Sequence, residues 1–234
     1  MFDNHFEVYL ADTEESKKIH YSLRYQVYCE EMGFEKMEDF SERLEIDSDD
    51  AKSIHFIVKN KKTNDWVGAM RLIYKDDTFL PIEESCFLDE KINSNDLFDA
   101  VEISRLCIVK EARSGNPPQG KVDETVLNDD SDQIKKIPTD HKTNRLIIWG
   151  LFHAASEYCY KHNINFCYFM TTSILAKVMS RGGLALTSIG APCEHRGQRY
   201  PFKIDAFKTY KSEMWASGFS SYQQYSKLKV LSAA

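Results

Sequence analysis

Three arginines stand inside apolar runs of this 234-residue chain: Arg24 in "SLRYQVY", Arg71 in "VGAMRLIY" and Arg105 in "VEISRLCIV". A fold that buries those runs must bring each guanidinium a carboxylate, because an isolated buried charge is strongly unfavourable. The supply is nearby. Residues 44–58, "LEIDSDDAKSIHFIV", crowd Glu45, Asp47, Asp49 and Asp50 into six positions; of these Glu45, Asp47 and Asp50, together with Glu102 three before Arg105, are the four partners on offer. Arginine forks match carboxylates in bidentate geometry. The acidic stretch therefore reads as a partner set for the arginines rather than as a solvated loop. A calcium loop is excluded: counted from Asp47, the sixth position is Lys52 and the twelfth Val58, where glycine and glutamate are needed.

At 42% hydrophobic and 28% charged, the chain can bury a sizeable core, and its length fits one large domain or two small ones. The net charge of -6 argues against a general nucleic-acid binder. No apolar run is long enough to span a membrane. The opening "MFDNHFEVYLADTEES" has no basic segment followed by an apolar one, so no signal peptide is expected and the cytoplasm is the expected location. The six cysteines are scattered and several sit in apolar runs, as in "RLCIV" and "NFCYFM"; they read as small buried hydrophobes in a reducing compartment.

Along the chain, "FEVYLA" alternates like a strand, and Asp12 or Thr13 caps a helix whose buried stripe is Ile19, Leu23 and Val27. "SIHFIVKN" and "DWVGAMRLIYK" read as a hairpin, and residues 99–113 as a central strand. Residues 113–143 hold three of the six prolines and few apolar groups, which predicts a mobile insertion within one domain spanning 1–234. Asn144 is placed to cap a long helix with Ile148, Leu151, Phe152, Ala155, Tyr158 and Cys159 on one face. "INFCYFMTT", "SILAKVMSRGG" and "LALTSIG" then read as a β-α-β unit with parallel pairing in a mixed sheet, followed by a strand in "QRYPFKIDAF" and C-terminal helices. About seven strands and five helices result, an α/β (α+β) chain.

Several chemistries are absent from the sequence. The seven histidines form no HExxH pair, there is no GxSxG elbow, and neither a GxxxxGK[ST] loop nor a GxGxxG after a strand occurs. No metal site and no resident cofactor are expected.

The order "LRYQVY…GF…LEIDSDD…VGAMRL…LPIEE…VEISRL" resembles the acyl-homoserine-lactone (autoinducer) synthases. It is closer still to their relatives, the N-acyl amino acid synthases and the exosortase-associated acyltransferases, through "RYQVYCEEMGFE", "LPIEESC" and "RGGLALTSIGAPCEHRGQRYPF". The resemblance implies a GNAT-like fold, a twisted mixed sheet splayed at its fourth strand and flanked by helices. It also implies an N-acyltransferase that takes a fatty acyl group from acyl carrier protein to an amine. The positions that match the family's substrate-binding motifs are Arg24, Tyr28, Phe34, Glu45, Asp47, Asp50, Arg71, Ser104 and Arg105. Phe34 and Tyr28 replace the family's Trp and Phe, which favours a plain amino acid over S-adenosylmethionine as acceptor.

Freeing an α-amine at neutral pH costs only about 1.4 kcal/mol, whereas one oxyanion donor is worth roughly 3–4 kcal/mol. Backbone geometry is therefore the larger task. Within such a fold the N–H donor comes from the E-x-S-R strand, here near Leu106 or Cys107, and Glu102 is the candidate base. Glu102 and Arg105 are three apart, so a regular strand would send them to opposite faces, and a β-bulge between them is expected. "EARSGNPPQGKV" lacks the pyrophosphate loop of coenzyme A-dependent GNAT enzymes, which favours acyl carrier protein as donor over acyl-coenzyme A. Lys177, Arg181, Arg199 and Lys203 are candidates for gripping that carrier. Homoserine lactone synthesis and non-catalytic acyl binding are the competing readings.

Overall fold

The computed structural model describes residues 1–77, 79–89, 92, 100–114, 141–215 and 217–232. The insertion expected at 113–143 lies mostly outside them. Its first two residues close a short helix, and its last three open the next one.

Among the described residues nine strands form one sheet in the order β6-β8-β5-β4-β3-β2-β1-β9, with β7 paired to β8. In chain order the elements are β1 (Phe6–Leu10), α1 (Glu14–Tyr25), β2 (Ser53–Asn60), β3 (Trp66–Tyr74), α2 (Pro81–Ser85), β4 (Ala100–Ile108), α3 (Lys110–Ser114), α4 (His141–Lys161), β5 (Phe166–Thr171), α5 (Ser173–Arg181), β6 (Leu186–Ser188), β7 (Cys193–Glu194), β8 (Gln198–Asp205), α6 (Ala206–Tyr210), β9 (Gln223–Gln224) and α7 (Tyr225–Ser232). The first four strands run antiparallel, and β5 joins β4 in parallel.

Helices cover both faces. Thr13 caps α1, its hydroxyl accepting from the Ser16 N–H while the Ser16 hydroxyl accepts in return from the Thr13 N–H. The buried face of α1 includes Ser16, His20, Leu23 and Arg24, so it is rotated away from the expected Ile19 stripe, and Ile19 is only half-buried. The reason lies across the interface. His55, Arg71 and Ser104 are direct cross-strand partners and share one face, and that polar row calls polar residues out of the helix above it. His20 stacks edge-on against His55, ring centres 4.6 Å apart.

On the other face α4 buries Ile147, Leu151, Phe152, Ala155, Tyr158 and Cys159 in the main core, close to the expected apolar stripe. A Cβ on Gly68 would sit 3.0 Å from Ile147 Cγ2 and 3.2 Å from the Cys107 carbonyl, which explains glycine there. The helix starts at His141, three residues before the expected cap Asn144. A second, smaller core beneath α2 gathers Ile73, Leu80, Ile82, Ile92, Ala100, Tyr168 and Ile189.

Two expectations are corrected. The β5-α5-β6 segment keeps its parallel sense, but β8 lies between the two strands and pairs antiparallel with each. β8 matches all six residues of β5, from Phe166↔Asp205 to Thr171↔Tyr200, whereas β6 offers only three. The longer ladder takes the place beside β5. The cysteines are also not all free: Cys86, just after α2, and Cys193, in β7, form a disulfide. Cys29, Cys107, Cys159 and Cys167 are free and buried, as read from their apolar runs. Among the described residues no helix is long and apolar enough to cross a membrane.

Candidate active site in the splayed sheet

β4 and β5 pair only from Ala100↔Phe166 to Glu102↔Tyr168. Past Glu102 the ladder with β3 also changes, since Arg71 faces Ser104 and Ala69 faces Cys107, so two steps on β3 match three on β4. The extra residue is a β-bulge, which bends and twists its strand. Arg105 takes the left-handed conformation there, with φ 52°. That backbone costs a non-glycine residue roughly 1–2 kcal/mol. Its guanidinium offsets the cost through Nη2, 3.0 Å from Glu45 and 2.9 Å from Asp47. The bulge lies at Arg105–Leu106, one step beyond the interval expected between Glu102 and Arg105.

The strands then part, and a cleft of about 330 Å³ opens between them. Its walls come from Glu102 to Leu106 on β4, the end of β5 and the first turns of α5. Tyr28, Met32 and Phe34 contribute from the segment after α1. Phe152, Phe169, Met170, Leu175 and Met179 supply an apolar lining.

The arginine network forms beneath this cleft. Asp47 and Asp50 cap a short 3-10 turn, Ser48–Lys52, reciprocally, and that turn aims both carboxylates inward. Arg24 bonds Glu45 through Nε and Asp50 through Nη1 at 2.6 Å. Arg71 holds Asp47 with both fork nitrogens, at 2.5 and 2.8 Å, and Asp50 at 2.7 Å. Burial alone would raise the Asp47 carboxyl; the hydrogen bond and charge of Arg71, then Arg105 and Arg24, override it and bring the pKa down to about 2. Three guanidiniums thus meet Glu45, Asp47 and Asp50, and the acidic stretch is their partner set.

Glu102 is not part of that network. It is 2% exposed, and its Oε2 accepts from the Ile82 N–H at 2.8 Å, where Pro81 starts α2. Burial among apolar residues pushes its pKa up to about 8, only partly countered by that N–H and by Arg71. The carboxyl is therefore mostly protonated at neutral pH. The sign of its effect on stability follows. An unfolded glutamate ionises near pH 4.5, so the folded form binds the extra proton between 4.5 and about 8. The contribution is full below 4.5 and is lost as pH rises through 8. Stability measured by urea unfolding should fall across that window in the wild type, and the fall should shrink in Glu102→Gln.

The other expected residues distribute unevenly. The turn after α1 widens into a π-helical segment, Gln26–Glu31, that carries Tyr28. The Tyr28 hydroxyl donates to the Leu106 carbonyl at 3.1 Å, Arg105 sits over its ring, and Phe34 stacks on it. Leu106 lies in the bulge without a cross-strand partner and lines the cleft. Cys107 does not: it is back in register with Ala69, buried behind the strand. Ser104 lines the cleft. Of the carrier candidates, Lys177 and Arg181 are exposed on α5, while Lys203 lays its ammonium over the Phe166 ring at 4.9 Å. Arg199 instead faces into the cleft.

Sequence reasoning missed His195 and Arg196, which also line the cleft, and the Ile82 N–H that holds Glu102. "CEHRG" and the proline of "LPIEE" were the available signals. Arg196 reaches across to Glu35, tying the turn after β7 to the residues below α1.

Residues 23–120 match a family model described as an acetyltransferase (GNAT) domain. No curated protein matches the chain. Among solved structures, the fold is similar to BjaI, described as a coenzyme A-dependent acyl-homoserine lactone synthase (TM-score 0.64, 16% identity, 94% of this chain and 93% of that one). It is similar to the acyl-homoserine-lactone synthase LasI (0.60, 17%, 94% and 98%). It is also similar to FeeM, an N-acyl amino acid synthase from uncultured soil microbes (0.52, 12%, 87% and 92%). Residues 23–120 thus resemble a GNAT acetyltransferase domain, and the chain shares its fold with the acyl-homoserine-lactone synthases and an N-acyl amino acid synthase.

Proposed function

We propose that this protein is an acyltransferase that moves a fatty acyl chain from an acyl carrier protein thioester to the α-amine of an amino acid. The observation that carries the reading is Glu102. It is a buried carboxyl with a pKa of about 8, at the wall of an apolar-lined cleft and on the same strand as an unpaired bulge residue. A base is most effective when its pKa lies near the working pH. In this reading the amine nitrogen attacks the thioester carbonyl, and Glu102 takes the proton that nitrogen sheds. The Leu106 N–H stabilises the oxyanion, and the thiolate leaves and collects a proton. The methionines and phenylalanines of the cleft receive the acyl chain, and the exposed Lys177 and Arg181 meet the carrier.

BjaI, described as coenzyme A-dependent, favours a second donor, acyl-coenzyme A. One assay addresses all the readings. Dodecanoyl carrier protein or dodecanoyl-coenzyme A is incubated with a mixture of the twenty amino acids, with and without S-adenosylmethionine, and products are followed by mass spectrometry. N-acyl amino acid formed from the carrier thioester supports the proposal. Product that requires S-adenosylmethionine assigns lactone synthesis, and acyl binding without any product assigns a non-catalytic role.

A further inference from the structure

The arginines at the cleft differ in one respect. Arg105 is held by Glu45 and Asp47, and Arg196 by Glu35. Arg199, half-buried at the start of β8, has no carboxylate within salt-bridge distance among the described residues. Its Nη1 donates only to the neighbouring Gln198 carbonyl, at 3.3 Å. A half-buried guanidinium without a counter-ion, in a cleft where the others have theirs, leaves an anion site open.

The surroundings add to it. His195 lies in the same wall, its proton affinity lowered first by burial and then by the positive charges of Arg105 and Arg199. Thr172, which caps the nine-residue α5, lines the cleft too, so the positive end of that helix opens on it. Glu102, the carboxyl of this wall, is mostly neutral at pH 7. The cleft therefore presents net positive charge to whatever enters.

We propose that Arg199 recognises the α-carboxylate of the acceptor, making it a specificity residue for amino acids over plain amines. This rests on the acyl-transfer reading above. Two anions come with that reaction, the acceptor's carboxylate and the phosphate of the carrier's phosphopantetheine arm. The cleft holds about 330 Å³ and includes Glu102, Leu106 and Arg199 together. An anion at Arg199 thus shares the compartment of the reacting carbonyl. The acceptor's carboxylate lies two bonds from its amine, whereas the phosphate lies a whole arm's length from its thioester. Along β5, Thr171, whose partner Tyr200 adjoins Arg199, is three residues from Tyr168 beside Glu102, or about 10 Å. Two side chains and a small zwitterion between them cover that span.

The test compares the amino acid selected in the mixed-acceptor assay with its carboxamide, in wild type, Arg199→Ala and Arg199→Lys. The wild type should use the acid at least ~10-fold better. A charge-assisted contact is worth about 1.5–3 kcal/mol, so Arg199→Ala should lower kcat/KM for the acid by about 10–150-fold and change it less than ~3-fold for the carboxamide. Arg199→Lys should recover part of the loss. Equal losses for acid and carboxamide would overturn the assignment, as would a raised KM for the acyl carrier with acceptor preference unchanged, which would move Arg199 to the phosphate. A wild-type protein that uses the carboxamide as well as the acid overturns it while leaving acyl transfer intact. Absence of any N-acyl product from wild type overturns both readings.

Discussion

Glu102→Gln is expected to lower acylation at neutral pH by about 10²–10⁴, the usual worth of general-base assistance. Glutamine keeps the carboxyl's size and can still accept from the Ile82 N–H, so the fold should tolerate it. The pH profile is the sharper reading. Wild-type kcat/KM requires two deprotonations, of the acceptor amine near pH 8 and of Glu102 near the same value. Below pH 7 the logarithm of the rate should therefore climb with a slope near two, and the variant should retain only the amine, with a slope near one. Initial rates from pH 6 to 9.5 separate the cases. A variant with near wild-type rate and an unchanged slope removes Glu102 from the chemistry and leaves the bulged strand to act alone.

The second large effect concerns stability. Arg24 is fully buried and bonded to Glu45 and Asp50, themselves nearly inaccessible. Arg24→Met keeps much of the volume but strips both carboxylates of a partner. Breaking a buried pair from one side costs about 3–5 kcal/mol. For a chain of this size each kcal/mol shifts Tm by roughly 2–4 °C, so a drop on the order of 6–20 °C is expected. The exposed Lys17–Glu14 pair is the control, and Lys17→Met should change stability by no more than about 0.5 kcal/mol. Acid should attack the same network. The Asp47 carboxyl, held down at about 2 against an unfolded 3.8, contributes above pH 3.8 and loses that contribution as pH falls through 2. A Tm for Arg24→Met within two or three degrees of wild type would mean the network is not a stabilising unit.

The features legible from sequence are those that local pattern and charge accounting dictate. The arginines in apolar runs required carboxylates, and the acidic stretch supplied them with the expected identities. The apolar face of α4 and the hairpin of β2 and β3 follow from periodicity alone. Strand order does not. That β8 pairs between β5 and β6 depends on competing ladder lengths between segments whose directions agree with either arrangement. Glu102 was one of four carboxylates offered to the arginines, and nothing in "VEISRL" says that it turns instead to the amide of Ile82. That choice belongs to the position of α2, which the smaller core sets. The bulge was legible as a need, from the three-residue spacing of Glu102 and Arg105, but its place was set by the ion pairs that reward a left-handed Arg105. Cys86 and Cys193 are 107 residues apart, a separation on which local pattern is silent. Arg199 read as one surface charge among several because its orientation depends on how β8 sits against the end of β5.

The outer edge of β1 carries a consequence for how the protein is made. Its partner is β9, with Tyr9 opposite Gln223 and Leu10 opposite Gln224. The contact is fastened on either side, by Ser220 on Asp3 and by Ser226 on Asp12. At synthesis rates of about 5–20 residues per second, those guards emerge roughly 10–40 s after the strand they cover. Through that interval the nascent chain exposes a bare row of amides and carbonyls, the kind of template on which neighbouring chains pair. Crowded polysomes are thus where this molecule is most exposed to aggregation, and the segment from Ser220 to Ser226 acts as its seal.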